Sequence, residues 1–354
     1  MLDIADANEN GMLAWEASYW LRTHISMAQA FDDTISLDRA ERLIDFLLAN
    51  RDDTRFAHAE LDVQNEPYYS APLFYLNHRD RAAPGWRRWD GYYNGWRVLL
   101  IDDAMITGAI MRYLDLVNEK QAFTRYRKKA AQYLEKVKET VAAHASSFAF
   151  GRFANVPGSY YFPDPGGNGL QAGAVPLNMN AAMGVTLLLL EKAQADSGGY
   201  RQMAGAIVDY FKLHARVTEN GAYVWDYHPQ NPGIGATQSG VEDFNHAHLD
   251  IGFFYLAYKL GLALTETDMQ RFANTLTRNI YRGDGELSWS VDGAEIGDGK
   301  NYWPVAFDWI DLAEFDAGVL AIAKAVYQKH YLRPGWARAF LGWAEILRWT
   351  FAEQ

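Results

Sequence analysis

The sequence predicts an all-α fold, and within it an α/α toroid: a complete or incomplete barrel of helical hairpins with small β-hairpins in its long loops. Three observations carry this. Two kinds of helical pattern alternate along the chain, one apolar nearly all round and one amphipathic. They recur as pairs beginning near residues 13, 98, 177, 245 and 306, a loose internal repeat. The segments joining the pairs are long and rich in Tyr, Trp, Gly and Pro. Inner helices buried on both sides, enclosed by outer helices with one polar face, account for both patterns. A helical solenoid would be built from shorter and more regular repeats.

The inner helices read as follows. Residues 98–117 are VLLIDDAMITGAIMRYLDLV, residues 181–190 are AAMGVTLLLL, and residues 251–262 are IGFFYLAYKLGL. The outer ones include residues 122–144, where Phe123, Tyr126, Ala130, Tyr133, Leu134, Val137 and Val141 recur at three- and four-residue steps. Lys128, Lys129, Lys136 and Lys138 fill the opposite face. Residues 37–50, 200–216, 266–281 and 336–350 show the same amphipathic pattern. The linkers are residues 52–96, 151–176, 220–240 and 283–304, and within them AYVWDY (222–227) and LSWSV (287–291) look like small β-hairpins. Each linker leads into the start of an inner helix, so all four are expected at one mouth of the ring, where long loops usually carry function. No Ser/Gly linker divides the chain, which reads as one domain over residues 1–354.

Composition narrows the function. The chain has 354 residues, a net charge of −11 and no cysteine. Thiol chemistry and disulfide frameworks are therefore excluded. The acidic balance argues against a nucleic-acid partner. The longest uncharged run, residues 166–190, contains Gln171, Pro176, Asn178 and Asn180, so no membrane span is expected. The start of the chain has no basic, apolar leader, which points to a soluble cytoplasmic protein, or a periplasmic or secreted one if a leader has been removed. The Walker loop, the dinucleotide fingerprint, the Gly-x-Ser-x-Gly elbow and the kinase motifs are missing from the sequence.

The 12 Trp, 21 Tyr and 18 Phe are the unusual quantity. Residues 85–97 read GWRRWDGYYNGWR and interleave Trp86, Trp89, Tyr93 and Trp96 with Arg87, Arg88 and Arg97 beside Asn94. Aromatic faces stack on sugar rings and Arg forks pair with carboxylates, a combination suited to an anionic glycan. The sharpest cluster is residues 241–250, VEDFNHAHLD. Glu242, His246 and Asp250 are spaced four apart, so on a helix they share a face, and His248 points elsewhere. A His between two carboxylates is oriented for proton transfer. A capping role for Asp243 or Asn245 with His246 as an ordinary polar residue is the plainer alternative. The His-x-His spacing splits metal ligands between helix faces, and residues 284–298 lack a calcium-loop pattern, so no metal is expected. Asn178 and Asn180 open the third inner helix, and Tyr302 and Trp303 precede the fifth. Glu16, Tyr19, Tyr227 and His228 are further mouth candidates. Asp102 and Asp103 interrupt an otherwise apolar helix, where a buried carboxyl needs a partner or a proton.

Trp15-Glu-Ala-Ser-Tyr-Trp, Pro176-Leu-Asn-Met-Asn-Ala-Ala-Met-Gly, Glu242-Asp-Phe-Asn-His-Ala-His-Leu-Asp and the following Ala257-Tyr resemble the α/α-toroid carbohydrate-active proteins. The pattern is most similar to polysaccharide lyases acting on uronate polymers of the alginate or glucuronan type. Unsaturated-glucuronyl hydrolases and uronate epimerases are related toroids. The lyase resemblance implies β-elimination without a cofactor. Asn178 or a protonated Glu242 would neutralise the uronate carboxylate, and His246 would act as base or help ionise Tyr302. Tyr302 would protonate the leaving oxygen. The residues themselves leave two alternatives open. A glycoside hydrolase would use two of Asp103, Glu242 and Asp308. A non-catalytic glycan-binding module would use the aromatic rim alone. Substrate contacts are expected from Arg87, Arg88, Trp89, Tyr93, Asn94, Trp96, Arg97, Tyr227, His228, His248 and Trp303.

Overall fold

The computed structural model describes residues 8–57, 82–90, 95–163, 170–194, 199–231, 233, 235, 237–333 and 335–352. Its inner layer contains α1 (Ser18–Phe31, led in by a π-helical turn, Leu13–Ala17), α4 (Leu100–Glu119), α6 (Leu177–Ala193) and α8 (Phe244–Lys259). Two 3₁₀ segments, Trp303–Ala306 and Asp308–Glu314, and α11 (Ala337–Ala352) complete it. Each of these staves packs on the next, and α11 returns against α1 to close the ring. The outer layer is α2 (Thr34–Ala49), α5 (Arg127–Ala143), α7 (Tyr200–His214), α9 (Glu266–Asn274) and α10 (Gly318–His330), while the one-turn α3 (Asp52–Arg55) follows α2.

The predicted burial patterns are realised. Leu177, Met183, Leu187 and Leu190 on α6 are all inaccessible to solvent. Gly184 lets α8 approach: a Cβ there would lie 2.5 Å from the Phe253 ring. On α5, Tyr133 and Val137 are buried, whereas Lys136 and Lys138 pair with Glu139 and Glu135 on the outer face. Asp33 caps α2, and Thr265 with Asp268 forms a capping box on α9.

Two sequence expectations are corrected. Residues 336–350, read as an outer helix, form the stave that seals the ring. Their apolar face lies on α1, with Phe340 against Trp20. The fifth inner element is not an α-helix, because Phe307 (φ −94°, ψ −116°) breaks the backbone between the two 3₁₀ segments.

The linkers carry antiparallel β-structure. β1 (Arg87–Asp90) pairs with β2 (Gly95–Val98), placing Trp89 opposite Trp96. β3 (Phe148–Phe153), β4 (Val156–Pro163) and β5 (Leu170–Ala174) form a three-stranded sheet. β6 (Arg216–Val217) pairs with β7 (Tyr223–Val224), and β8 (Tyr281–Gly283) with β9 (Glu286–Leu287).

The staves run parallel. Residues 104–112 of α4, 182–185 of α6 and 249–252 of α8 meet on the ring axis at similar depths from their helix starts. Their last turns line a separate cavity at the other end. The helix starts, and the loops that precede them, therefore share one mouth. Among the described residues no helix is long and apolar enough to cross a membrane.

Candidate active site

Two groups of buried carboxyls stand at the starts of staves. The first is on α4. Asp102 is fully enclosed; its Oδ2 accepts from Asn8 Nδ2 at 3.0 Å and faces Arg88 Nε at 3.4 Å. Burial pushes its pKa up to about 7, against the pull of Arg88. Asp103 accepts the Trp86 backbone N–H at 3.0 Å and lies 2.8 Å from His144 Nε2. Burial raises this carboxyl too, and His144 works against the rise. The segment leading into β1 lies directly on Asp103 because residue 85 is Gly; a Cβ there would be 2.5 Å from Oδ2.

The second group begins α8. Asp243 is the N-cap, and its side chain accepts from the N–H groups of Asn245 and His246 at 2.9 and 3.1 Å. Its other oxygen lies 2.5 Å from His246 Nδ1. Burial alone would lower the His246 pKa, but the bond to Asp243 lifts it above the ordinary value. Of the expected Glu242–His246–Asp250 face only the Glu242 part is corrected; His246 and Asp250 both lie on α8, four residues apart, and Asp250 favours the charged His246. Glu242 precedes the cap, tied by its N–H to the Trp225 carbonyl at 2.9 Å, and its carboxyl interacts with that of Asp250. Trp225 Nε1 donates to Asp250 at 2.9 Å. Burial raises both carboxyls, Glu242 well above its usual value and Asp250 to about 7. Glu242, Asp243 and His246 each offer a ligand atom within 4.8 Å of the others, and could hold a cation.

Tyr227 covers this group, its ring 5.2 Å from that of His246. The Leu177 N–H donates to the Tyr227 carbonyl at 3.2 Å, which brings the start of α6 alongside. There Asn178 is buried with an unpartnered Oδ1, whereas Asn180 is engaged by the Tyr160 N–H at 2.8 Å. His248 faces the ring axis: its Nδ1 is 2.9 Å from Asp308, which also receives Arg22 at 2.9 Å and Arg112 at 3.2 Å. Despite burial, these partners hold Asp308 far below the usual carboxylate range. His228 is buried, and its pKa is lowered by desolvation.

Several expected contacts are taken by the protein itself. The Tyr302 hydroxyl donates to the Leu287 carbonyl at 2.6 Å, and its ring lies against His330. Among the described residues no hydrogen bond or ring contact joins it to Asn178, Glu242 or His246. Trp303 is buried between Tyr19, His248 and Phe307, with the Arg338 guanidinium 5.0 Å from its ring. The Arg87 guanidinium lies 4.5 Å from Phe56 and 4.6 Å from Trp96, Arg88 faces Asp102, and buried Arg97 faces Asp90 at 3.6 Å. The arginines expected to make the mouth basic are therefore committed internally, and an anionic ligand loses that support. Trp89, 46% exposed, stands edge-on to Trp96 and remains open to a sugar ring. Tyr93 and Asn94 lie outside the described residues. Asn8, Arg22, Arg112 and Arg338 were not singled out from the sequence. Each is an isolated polar residue whose partner is distant along the chain, so no local motif marks it.

No protein-family model matches the sequence, and no curated protein does. Solved structures do resemble this one. A family 76 glycoside hydrolase from a bovine Bacteroides thetaiotaomicron strain aligns at a TM-score of 0.57 and 11% identity, over 99% of this chain and 72% of that one. The fold is the α/α toroid. An inactive variant of the Salegentibacter α-1,6-mannanase, in complex with α-1,6-mannotriose, aligns at 0.52 and 11% identity, over 96% and 90%. Cellobiose 2-epimerase from Spirochaeta thermophila aligns at 0.52 and 13%, over 96% and 87%. These neighbours are α/α-toroid carbohydrate-active enzymes, and no polysaccharide lyase is among them.

Proposed function

We propose that the protein is a glycoside hydrolase acting on an oligo- or polysaccharide, with Asp102 and Asp103 as its reacting carboxyls. One observation carries this: two successive aspartates open an otherwise apolar stave at the mouth, fully buried and both raised in pKa. Asp102, at about 7, is poised near neutrality to give a proton to a leaving oxygen. Asp103, with His144 and the Trp86 N–H favouring its ionised form, supplies the carboxylate. Asn8 and Arg88 cover Asp102, so substrate must displace them. Trp89 offers the stacking surface. The solved mannanase variants support the reading, since replacing two successive aspartates by Asn or Ala gave inactive forms. The pairing of Arg87, Arg88 and Arg97 favours a neutral glycan over a uronate polymer.

The test is incubation with α-mannans, other neutral glycans and uronate polymers, following reducing ends and unsaturated uronate separately. Reducing ends should appear without unsaturation, and Asp102→Asn and Asp103→Asn should each lower turnover about 10²–10⁴-fold. Unsaturated products, or full turnover in both variants, would defeat the proposal.

A second reading rests on the Asp243–His246 pair. An imidazole 37% exposed, with a carboxylate at 2.5 Å, suits proton transfer at a carbon beside a sugar carbonyl, as in epimerisation. Deuterium uptake from heavy water into a reducing disaccharide, lost in His246→Gln, is its signature.

A further inference from the structure

The toroid has a second opening. At the end opposite the mouth, the last turns of the staves enclose a cavity of about 310 Å³, within the range of small-ligand sites. Its rim is charged, and nearly every rim charge is neutralised. Lys192 binds Asp115 at 2.7 Å and Glu119 at 2.5 Å. Arg348 binds Asp311 at 2.6 Å and Glu345 at 2.7 Å, and Lys259 binds Glu314 at 3.0 Å.

Arg112 has an ion-pair partner, Asp308, but shares it. Among the described residues Arg112 makes one side-chain hydrogen bond, from Nη2 to Asp308 Oδ1 at 3.2 Å. That oxygen already takes Arg22 Nη2 at 2.9 Å, and Oδ2 takes Arg22 Nη1 and His248 Nδ1. Two guanidiniums thus share one saturated carboxylate. A guanidinium carries five N–H donors, so most of those on Arg112 have no acceptor among the described residues. The side chain lines the cavity and is 29% exposed there. Burial and then the neighbouring Arg22 disfavour its charge, while Asp308, Asp311 and Glu345 favour it.

We propose that this far-end cavity is a binding site for a small oxyanion, a carboxylate or a phosphate, held by the fork of Arg112. Fork geometry matches both ligands in two-point contact. The site is separated from the mouth by the Arg22–Asp308–Arg112 layer, so a ligand there would act as an effector and not as a substrate.

The test uses inorganic phosphate and succinate as probes, titrated into the whole protein at low salt by calorimetry, with chloride at matched ionic strength as control. Saturable binding of one probe or both is expected, with chloride inert; which one binds distinguishes phosphate from carboxylate. Arg112→Gln should weaken binding at least tenfold. Gln29→Glu, on the exposed rim and away from the core, should weaken it several-fold by adding a negative charge, and it serves if Arg112→Gln fails to fold. Absence of saturable binding, or binding unchanged in Gln29→Glu and in folded Arg112→Gln, overturns the proposal.

Discussion

Replacing Asp102 by Asn should stabilise the protein progressively as pH rises. Asp102 is fully enclosed, and burial moves its pKa from 3.8 to about 7. A carboxyl raised on folding keeps a proton that the unfolded chain has released. The folded state therefore binds more protons between about pH 4 and 7, and stability falls with pH across that window. At 1.36 kcal/mol per pH unit, the displacement amounts to about 4 kcal/mol, complete above pH 7. Asn imitates the protonated carboxyl and can still accept from Asn8, so the variant escapes the loss. All other titrating groups are common to both proteins and cancel in the difference. Urea unfolding at pH 4, 6 and 8 should show the variant's advantage widening by about 4 kcal/mol from the lowest to the highest pH. Under the hydrolase proposal the same variant loses about 10²–10⁴-fold in turnover, so stability rises where activity falls, as expected for a strained functional site. A difference that stays constant with pH, or shrinks as pH rises, would refute the account of Asp102.

Three further outcomes are expected. Asp308→Asn removes the carboxylate shared by Arg22, Arg112 and His248, and should cost about 3–5 kcal/mol in urea unfolding, the scale for breaking a buried ion pair. His246, followed by NMR, should titrate above its ordinary 6.5, and its midpoint should drop in Asp243→Asn. Gly252→Ala would place a Cβ 2.6 Å from the Asp308 carboxyl, and should destabilise by about 1–3 kcal/mol through overpacking.

The alternation of all-round apolar and amphipathic helices made the ring legible, because burial on two sides or one leaves a direct trace in residue spacing. Residues 336–350 misled because α11 combines polar residues, Glu345 and Arg348, that pair at the far-end cavity with an apolar face that meets α1; amphipathicity reports that one side is buried, not which layer the helix joins. At the site, the spacing 242–246–250 suggested one helical face, but the helix starts at Phe244, so Glu242 precedes the helical register. The cap residue Asp243, and not a helical neighbour, became the partner of His246. Asp102 and Asp103 were marked by their chemistry alone, as charges inside an apolar run. The engagement of Arg87, Arg88 and Arg97 was hidden, since a pattern of Arg and Trp is identical whether its guanidiniums face substrate or Phe56, Asp102 and Asp90.

The closure of the ring by α1 and α11 has a consequence for how the chain reaches its native state. Ser26 on α1 donates to Glu345 on α11 across 319 residues, and Arg22 reaches Asp308 across 286. The first stave to leave the ribosome is therefore completed by the last. Until α11 emerges, the face of α1 that carries Trp20 has no cover, and the ring can grow only as an open arc. Such long-range closure makes for slow folding and a prolonged interval of exposed apolar surface. A nascent chain halted before residue 337 should thus be recognisable by chaperone capture, even though most of its helical hairpins are already present.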